Sequence, residues 1–140
     1  MKLAVLGTGF IITDAMGAVS EVEGIEKKAI YARPGSEERG EYFAKKFGIE
    51  KVYNDYQEIL DNDDIDTVYV GLINSVHYSY AKQALMAGKN AIVEKPFTPS
   101  YAEAKELLDI AKEKGVYVFD AVTPRHSAVF EKILRINLSV

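Results

Sequence analysis

The sequence predicts an α/β fold: a doubly wound parallel sheet of about six strands, with helices on both faces in a three-layer α/β/α arrangement. Three observations predict it. Short apolar runs alternate with helix-period segments along the whole chain. The runs are apolar throughout rather than alternating, as in strands buried on both faces. Glycines stand where the intervening helices should end, at Gly24, Gly48, Gly88 and Gly115. Helical crossovers between such strands imply parallel pairing, and six strands suggest the order 3-2-1-4-5-6.

The elements follow in order. Lys2 to Leu6 is the first strand, ending at glycine. Ile11 to Val22 reads as a helix weakened by Gly17 and closed by Gly24. Ala29 to Ala32 is a second strand core, broken by Pro34-Gly35. Ser36 is a candidate cap for a helix to Phe47, and Gly48 fits its left-handed end. Lys51 to Tyr53 is a brief third strand. Asp55 and Glu58 have capping-box spacing before a short helix over Ile59-Leu60. Thr67 to Leu72 is the fourth strand, Ser75 to Ala87 a helix, and Ala91 to Glu94 the fifth strand. Ser100 and Glu103 form a capping box for a helix to Lys114. Val116 to Phe119 is the sixth strand, and from Arg125 or Ser127 the pattern turns helical, with Val129, Ile133 and Ile136 on one stripe.

With 140 residues, 48% hydrophobic and 27% charged, the chain has the balance of one soluble globular domain with a real core. A net charge of −4 gives no support for a nucleic-acid partner, which needs a concentrated basic face. The absence of cysteine excludes disulfides, thiolate metal ligands and thiol nucleophiles. Two histidines with no matching carboxylate spacing make no metal site. No apolar run approaches the roughly 20 residues of a membrane helix. No secretory signal is visible, so the expected compartment is the cytoplasm. Asn62-Asp63-Asp64 reads as a solvated loop, and the nine tyrosines as packing.

Gly7-Thr8-Gly9-Phe10-Ile11-Ile12 joins the first strand to the first helix. The first glycine suits a tight turn, and the second lets backbone approach a pyrophosphate on the helix N-terminus. This is the Rossmann arrangement for dinucleotides. Its third position, normally small so that the helix packs close, is Ile12, which predicts a slightly more distant helix or a register that differs by one residue. An NAD site usually offers an acid to the adenosine ribose about 20 residues after the loop. Here the second strand runs into Arg33, with Ser36 and Arg39 close by. An arginine there can stack on adenine and pair with a 2′-phosphate, so the expected cofactor is NADP, with NAD possible.

Glu94-Lys95-Pro96 closes the fifth strand. Proline pushes Lys95 toward an extended backbone, which fixes its side chain at the sheet mouth, and the Lys95–Pro96 bond is a candidate cis peptide. A lysine so placed can donate to a ribose and to a substrate hydroxyl, and Glu94 can pair with it. This motif, with Gly7-Thr8-Gly9-Phe10-Ile11, Asp66-Thr67-Val68-Tyr69-Val70, Asn74-Ser75-Val76-His77-Tyr78 and Ala87-Gly88-Lys89, resembles the N-terminal domain of the glucose-fructose oxidoreductase / inositol dehydrogenase / rhizopine catabolism (Gfo/Idh/MocA) family. The resemblance covers almost the whole chain.

The resemblance implies roles. Gly7, Thr8, Gly9, Phe10 and Ile11 would line the pyrophosphate, and Arg33 would face the adenosine ribose. Leu72, Asn74 and His77 would border the nicotinamide. Glu94 and Lys95 would contact the nicotinamide ribose, Lys95 also assisting catalysis, and Arg125 would approach the cofactor. A capping or packing role for His77 stays open, and His126 reads as a surface residue. The chain departs from the family at Ile12, at Ile73 where a proline is common, and after Arg125, where a frequent proline is missing.

Residues 1–124 are thus expected to form the dinucleotide-binding domain, and 125–140 the start of a helix leading to a C-terminal substrate domain that this sequence lacks. The expected function is NAD(P)-dependent hydride transfer to or from a sugar, polyol or related hydroxyl or carbonyl substrate. The chain alone would bind cofactor without turnover. A non-catalytic NAD(P)-binding sensor or regulatory module is the alternative. Uncovered Val129, Phe130, Ile133 and Leu134 would favour a homo-oligomer.

Overall fold

A computed structural model of the chain describes residues 1–122 and Lys132. The predicted helix beginning at Arg125 or Ser127, with Val129, Phe130, Ile133 and Leu134, lies outside these residues.

The described residues form a six-stranded parallel sheet in the order 3-2-1-4-5-6, as the alternation predicts. The strands are β1 (Lys2–Leu6), β2 (Glu26–Tyr31), β3 (Lys51–Tyr53), β4 (Thr67–Val70), β5 (Asn90–Val93) and β6 (Val118–Asp120). The helices are α1 (Phe10–Ser20), α2 (Glu37–Phe47), α3 (Tyr56–Leu60), α4 (His77–Met86) and α5 (Tyr101–Lys114), with a single 3-10 turn at Asn74–Val76.

Two apolar clusters sandwich the sheet. On one face Leu3, Val5 and Ile30 meet Ile12 and Met16 of α1 and Phe43 and Ala44 of α2. On the other, Ala4, Leu6, Val68 and Val93 meet α3, α4 and α5 through Ile59, Leu85 and Leu107. Alternate residues of β1 therefore serve opposite layers, which is why the run had to be apolar throughout.

The element ends are where the structure departs from the sequence reading. α1 stops at Ser20, short of Val22, and Gly24 belongs to the following turn at φ +80°. Ser36 is the N-cap of α2 but makes no side-chain cap bond. Asp55 caps α3 by accepting from the Gln57 amide (2.9 Å), one residue earlier than box spacing requires. Ser100 and Glu103 make half of the predicted box: the Ser100 hydroxyl accepts the Glu103 amide (3.3 Å), but the Glu103 carboxylate accepts from that hydroxyl (2.9 Å) rather than from the Ser100 amide. β4 ends at Val70, and Asn74 opens a 3-10 turn before α4 begins at His77. β6 starts at Val118 because its expected first residues are already bonded. The Val116 amide closes the end of α5 on the Ala111 carbonyl (3.0 Å), and the Tyr117 amide goes to Asn90 Oδ1 (3.0 Å).

The amino-terminal ends of the strands are held by charge. Lys28 meets Glu26 (3.2 Å), Glu50 (3.0 Å) and Asp64 (3.0 Å), and Lys2 also bonds Asp64. Lys89 is buried and donates to the carbonyls of Asn62 and Ile65, both at 2.8 Å. Burial pulls its ammonium below the ordinary lysine range. The Asn62-Asp63-Asp64 loop, expected to be merely solvated, is thereby a tethered element of the sheet's lower edge.

Candidate cofactor site

β1 ends at Leu6 and α1 begins at Phe10, so Gly7-Thr8-Gly9 must turn the chain within three residues. Gly7 lies at φ +110°, and a Cβ there would sit 2.8 Å from the Gly71 carbonyl oxygen. Backbone conformation and neighbouring backbone both demand glycine. The Gly7 amide donates to the Tyr31 carbonyl at 3.0 Å, which ties the loop to β2. Gly9 is the N-cap of α1 and supplies no side-chain cap, while a Cβ added there would meet nothing within 4 Å. The Ile12 amide turns back to the Gly9 carbonyl (3.3 Å), and the Phe10 and Ile11 amides of this eleven-residue helix are left beside open space, the geometry that receives an anion.

Ile12 is fully buried between α1 and the sheet. The room comes from the facing strand: a Cβ on Gly71 would stand 2.3 Å from Ile12 Cδ1. The small residue that the fingerprint normally places on the helix has been supplied by the end of β4.

The loops after β1, β2 and β4 enclose a cleft of about 430 Å3 at the carboxyl end of the sheet. Gly7, Thr8, Gly9 and Ile11 form its first wall. Arg33, Ser36 and Arg39 form its second, just beyond β2. Gly71, Leu72, Ile73 and Val76 form its third. Tyr31 and Tyr80 line it too, and with Tyr56 they build an aromatic cluster with ring centroids 4.8–6.0 Å apart. Burial, reinforced by Tyr80, pushes the Tyr31 hydroxyl up to about 12, so it stays protonated at neutral pH. No carboxylate lines this cleft among the described residues, and two arginines do.

The Glu-Lys-Pro segment leaves β5 through a cis Lys95–Pro96 bond. Glu94 is buried, and its carboxylate is not paired with the Lys95 ammonium as the sequence suggested. One oxygen accepts from the Tyr69 hydroxyl, and the other accepts the Lys95 amide at 3.1 Å. Burial first, and then the hydrogen bond to Glu94, hold the Tyr69 hydroxyl above the ordinary tyrosine range. The Lys95 side chain is left exposed, with no ion pair or hydrogen bond to the described residues.

His77 is buried at the start of α4, with Nδ1 2.9 Å from the Pro96 carbonyl and Nε2 3.0 Å from the Leu72 carbonyl. It joins the loop after β4 to the Glu-Lys-Pro loop. A neutral imidazole carries one N–H and can donate to only one of these carbonyls at a time.

Of the residues singled out from the sequence, Gly7, Thr8, Gly9, Ile11, Arg33, Arg39 and Leu72 meet in the cleft. Phe10 (78% exposed) and Asn74 point to solvent outside its lining. Glu94, Lys95 and His77 gather around the next loops of the same sheet end, and Arg125 lies outside the described residues. Sequence reasoning missed Tyr31, Tyr80 and Gly71 as lining residues and Tyr69 as the partner of Glu94. The available signal was positional: Tyr31 and Gly71 stand at carboxyl ends of strands, where ligands bind.

A parallel sheet in this order, an uncapped glycine loop and a cationic second wall define a Rossmann dinucleotide-binding domain. The chain belongs to the Gfo/Idh/MocA oxidoreductases: residues 1–121 match the family described as "Oxidoreductase family, NAD-binding Rossmann fold". It is 31% identical over 132 residues to trans-1,2-dihydrobenzene-1,2-diol dehydrogenase of Xenopus laevis, covering 94% of this chain and 40% of that protein. It is 30% identical over 122 residues to the scyllo-inositol 2-dehydrogenase (NADP(+)) IolU of Bacillus subtilis, covering 87% of this chain and 37% of that protein. Its fold matches KijD10, a 3-ketoreductase from Actinomadura kijaniata in complex with NADP and TDP-benzene, with a TM-score of 0.90 and 28% identity. That match covers 99% of this chain and 42% of KijD10, so the chain spans about two fifths of the length of these relatives. No helix among the described residues is long and apolar enough to cross a membrane.

Proposed function

We propose that this chain is the cofactor-binding part of an NADP-preferring oxidoreductase that acts on a hydroxyl or carbonyl of a sugar, polyol or related compound. The observation that carries the preference is the second wall of the cleft. Arg33 and Arg39 line it with Ser36, where an NAD site offers a carboxylate. Guanidinium forks match phosphate oxygens, and the lining carries no negative charge to oppose them.

The residues present fit a nicotinamide dinucleotide. The glycine loop leaves free amides and space above Gly9 for a pyrophosphate. Tyr31 and Tyr80 offer aromatic surface beside the arginines for an adenine. The bound cofactor would supply the hydride, a chemistry no side chain can provide. Lys95 would then donate to the nicotinamide ribose and to the substrate oxygen, where its charge stabilises developing negative charge. Glu94 acts beneath it: by accepting the Lys95 amide it fixes the backbone from which that side chain projects. The names of the relatives, dehydrogenases and a ketoreductase, support the substrate class.

Lys95 stands in water here, whereas hydride transfer needs a dry, pre-aligned substrate. The 140 residues by themselves therefore bind cofactor and turn over little or no substrate. The test is a titration with NADPH and NADH followed by tyrosine fluorescence, the chain having no tryptophan. Arg33→Ala should weaken NADPH about 10- to 100-fold, the worth of a charge-assisted phosphate contact, and leave NADH within about threefold. Equal losses for both cofactors, or a wild-type preference for NADH, would overturn the NADP assignment. Rapid NADPH-dependent reduction of a sugar ketone by the 140 residues would overturn the expectation of low turnover.

A further inference from the structure

We propose that Glu37 sets how strongly the cleft distinguishes dinucleotides with and without a 2′-phosphate, acting as a built-in anion that competes for the loop after β2. The inference deepens the reading of Arg33 and Arg39 as phosphate-facing and rests on it.

Beside the main cleft lies a second depression of about 390 Å3, lined by Gly35, Ser36, Glu37, Glu38 and Arg39. It shares Ser36 and Arg39 with the cleft, so the two lie on either side of the same loop. The turn between them is closed by the Ser36 amide donating to the Arg33 carbonyl at 2.9 Å. That leaves the Gly35 amide as a donor on the loop, and Glu37 Oε1 takes it at 3.0 Å. The Gly35 amide, and then the amide of Glu37 itself, hold this carboxyl below the usual carboxylate range. It is therefore charged at neutral pH.

The loop thus offers an anion two guanidinium groups, the Ser36 hydroxyl, which makes no cap bond, and the Gly35 amide. A carboxylate of the chain itself already occupies the last of these. A 2′-phosphate must displace Glu37 or settle beside it, and either costs free energy. A plain ribose hydroxyl meets neither cost, so Glu37 tempers the arginines and narrows the gap between the two cofactor forms. Glu38 is the natural control: it lines the same depression but makes no bond to the loop.

The experiment measures dissociation constants of 2′,5′-ADP and of 5′-ADP, which differ only in the 2′-phosphate, for the full 140-residue chain by calorimetry. Glu37 is exposed, so its replacement leaves the core intact. Glu37→Gln should tighten 2′,5′-ADP about five- to ten-fold at low salt, less at high salt, and leave 5′-ADP within about twofold. Glu38→Gln should change the ratio by less than about twofold. An unchanged ratio in Glu37→Gln, weaker 2′,5′-ADP binding, or an equal gain in Glu38→Gln would overturn the proposal. Arg33→Ala separates the two readings. If it abolishes discrimination while Glu37→Gln does nothing, the arginine reading stands and the Glu37 proposal falls. If Arg33→Ala leaves the ratio unchanged, the arginine reading falls, and the Glu37 proposal, which rests on it, falls with it.

Discussion

Replacing Gly71 with alanine tests the packing that lets α1 carry an isoleucine at the third fingerprint position. Gly71 does not have a positive φ, so alanine is allowed by its backbone and the effect is one of space. The new Cβ would lie 2.3 Å from Ile12 Cδ1 and 3.2 Å from Tyr69 Cε1. Carbon contacts relax near 3.5 Å, so Ile12 must retreat by about 1.2 Å or swing off its rotamer. Overpacking of this kind costs about 1–3 kcal/mol, offset by about 0.4–1 kcal/mol because alanine restricts the unfolded chain. The expected net loss is about 1–2 kcal/mol. Ile12→Val removes the clashing Cδ1 and by itself costs about 0.5–1.5 kcal/mol. The two changes should not add. The double variant should be more stable than the sum by about 1 kcal/mol, since valine vacates the space that alanine fills. Urea unfolding followed by far-ultraviolet circular dichroism gives all four stabilities. If α1 presents its amides to the pyrophosphate as proposed, Gly71→Ala should also weaken NADPH, and Ile12→Val should restore it. Additivity within about 0.5 kcal/mol would refute the idea that Gly71 is small in order to seat Ile12.

Tyr69→Phe removes a hydrogen bond to a buried carboxylate and should cost about 1–3 kcal/mol in the same unfolding assay. Tyr69→Phe combined with Glu94→Gln should recover part of that loss; an undiminished loss would show that the Glu94 charge is not the issue. Acid stability should depend on Asp64, whose carboxyl is lowered by its bonds to Lys2 and then Lys28. A lowered folded value gives stability that is present above the ordinary aspartate range and lost as pH falls through the folded value. Asp64→Asn should therefore melt earlier than wild type at pH 7, and the two melting curves should converge by about pH 2. Parallel curves across that range would count against the ion-pair account.

The layers and the sheet order were legible because they follow from apolar runs spaced by helix-length segments, and the structure reproduces them. Element ends were less legible because they are set by individual hydrogen bonds between residues distant in sequence. β6 loses its expected start to Asn90 Oδ1, 27 positions away. Within the cleft, the glycine loop and the arginines could be read because turn chemistry and charge are local. Tyr69 could not, since its hydroxyl reaches Glu94 only through the pairing of β4 with β5. The role of Gly71 was hidden for the same reason. Ile12 looked like a defect in the fingerprint until the facing strand was seen to provide the missing space.

The ion pairs among the described residues all lie outside the cleft lining. At the opposite end of the sheet, Lys2 and Lys28 are spent on Asp64, Glu26 and Glu50, and Lys89 is buried against two carbonyls. On the outer surface Lys82 pairs with Glu106, and Lys105 with Asp109. Among the described residues none of these pairs involves Arg33, Arg39 or Lys95. Lys27, Lys45, Lys46, Lys51, Lys112 and Lys114 are outside those ion pairs too, so what singles out Arg33 and Arg39 is their place in a cleft lining with no carboxylate beside them. Under the proposed reading, a dinucleotide phosphate is the ligand whose charge these two arginines match. Glu37 fits this reading. Among the described residues it is the one carboxylate bonded into the Arg33–Arg39 loop, and it bonds an amide there rather than either arginine.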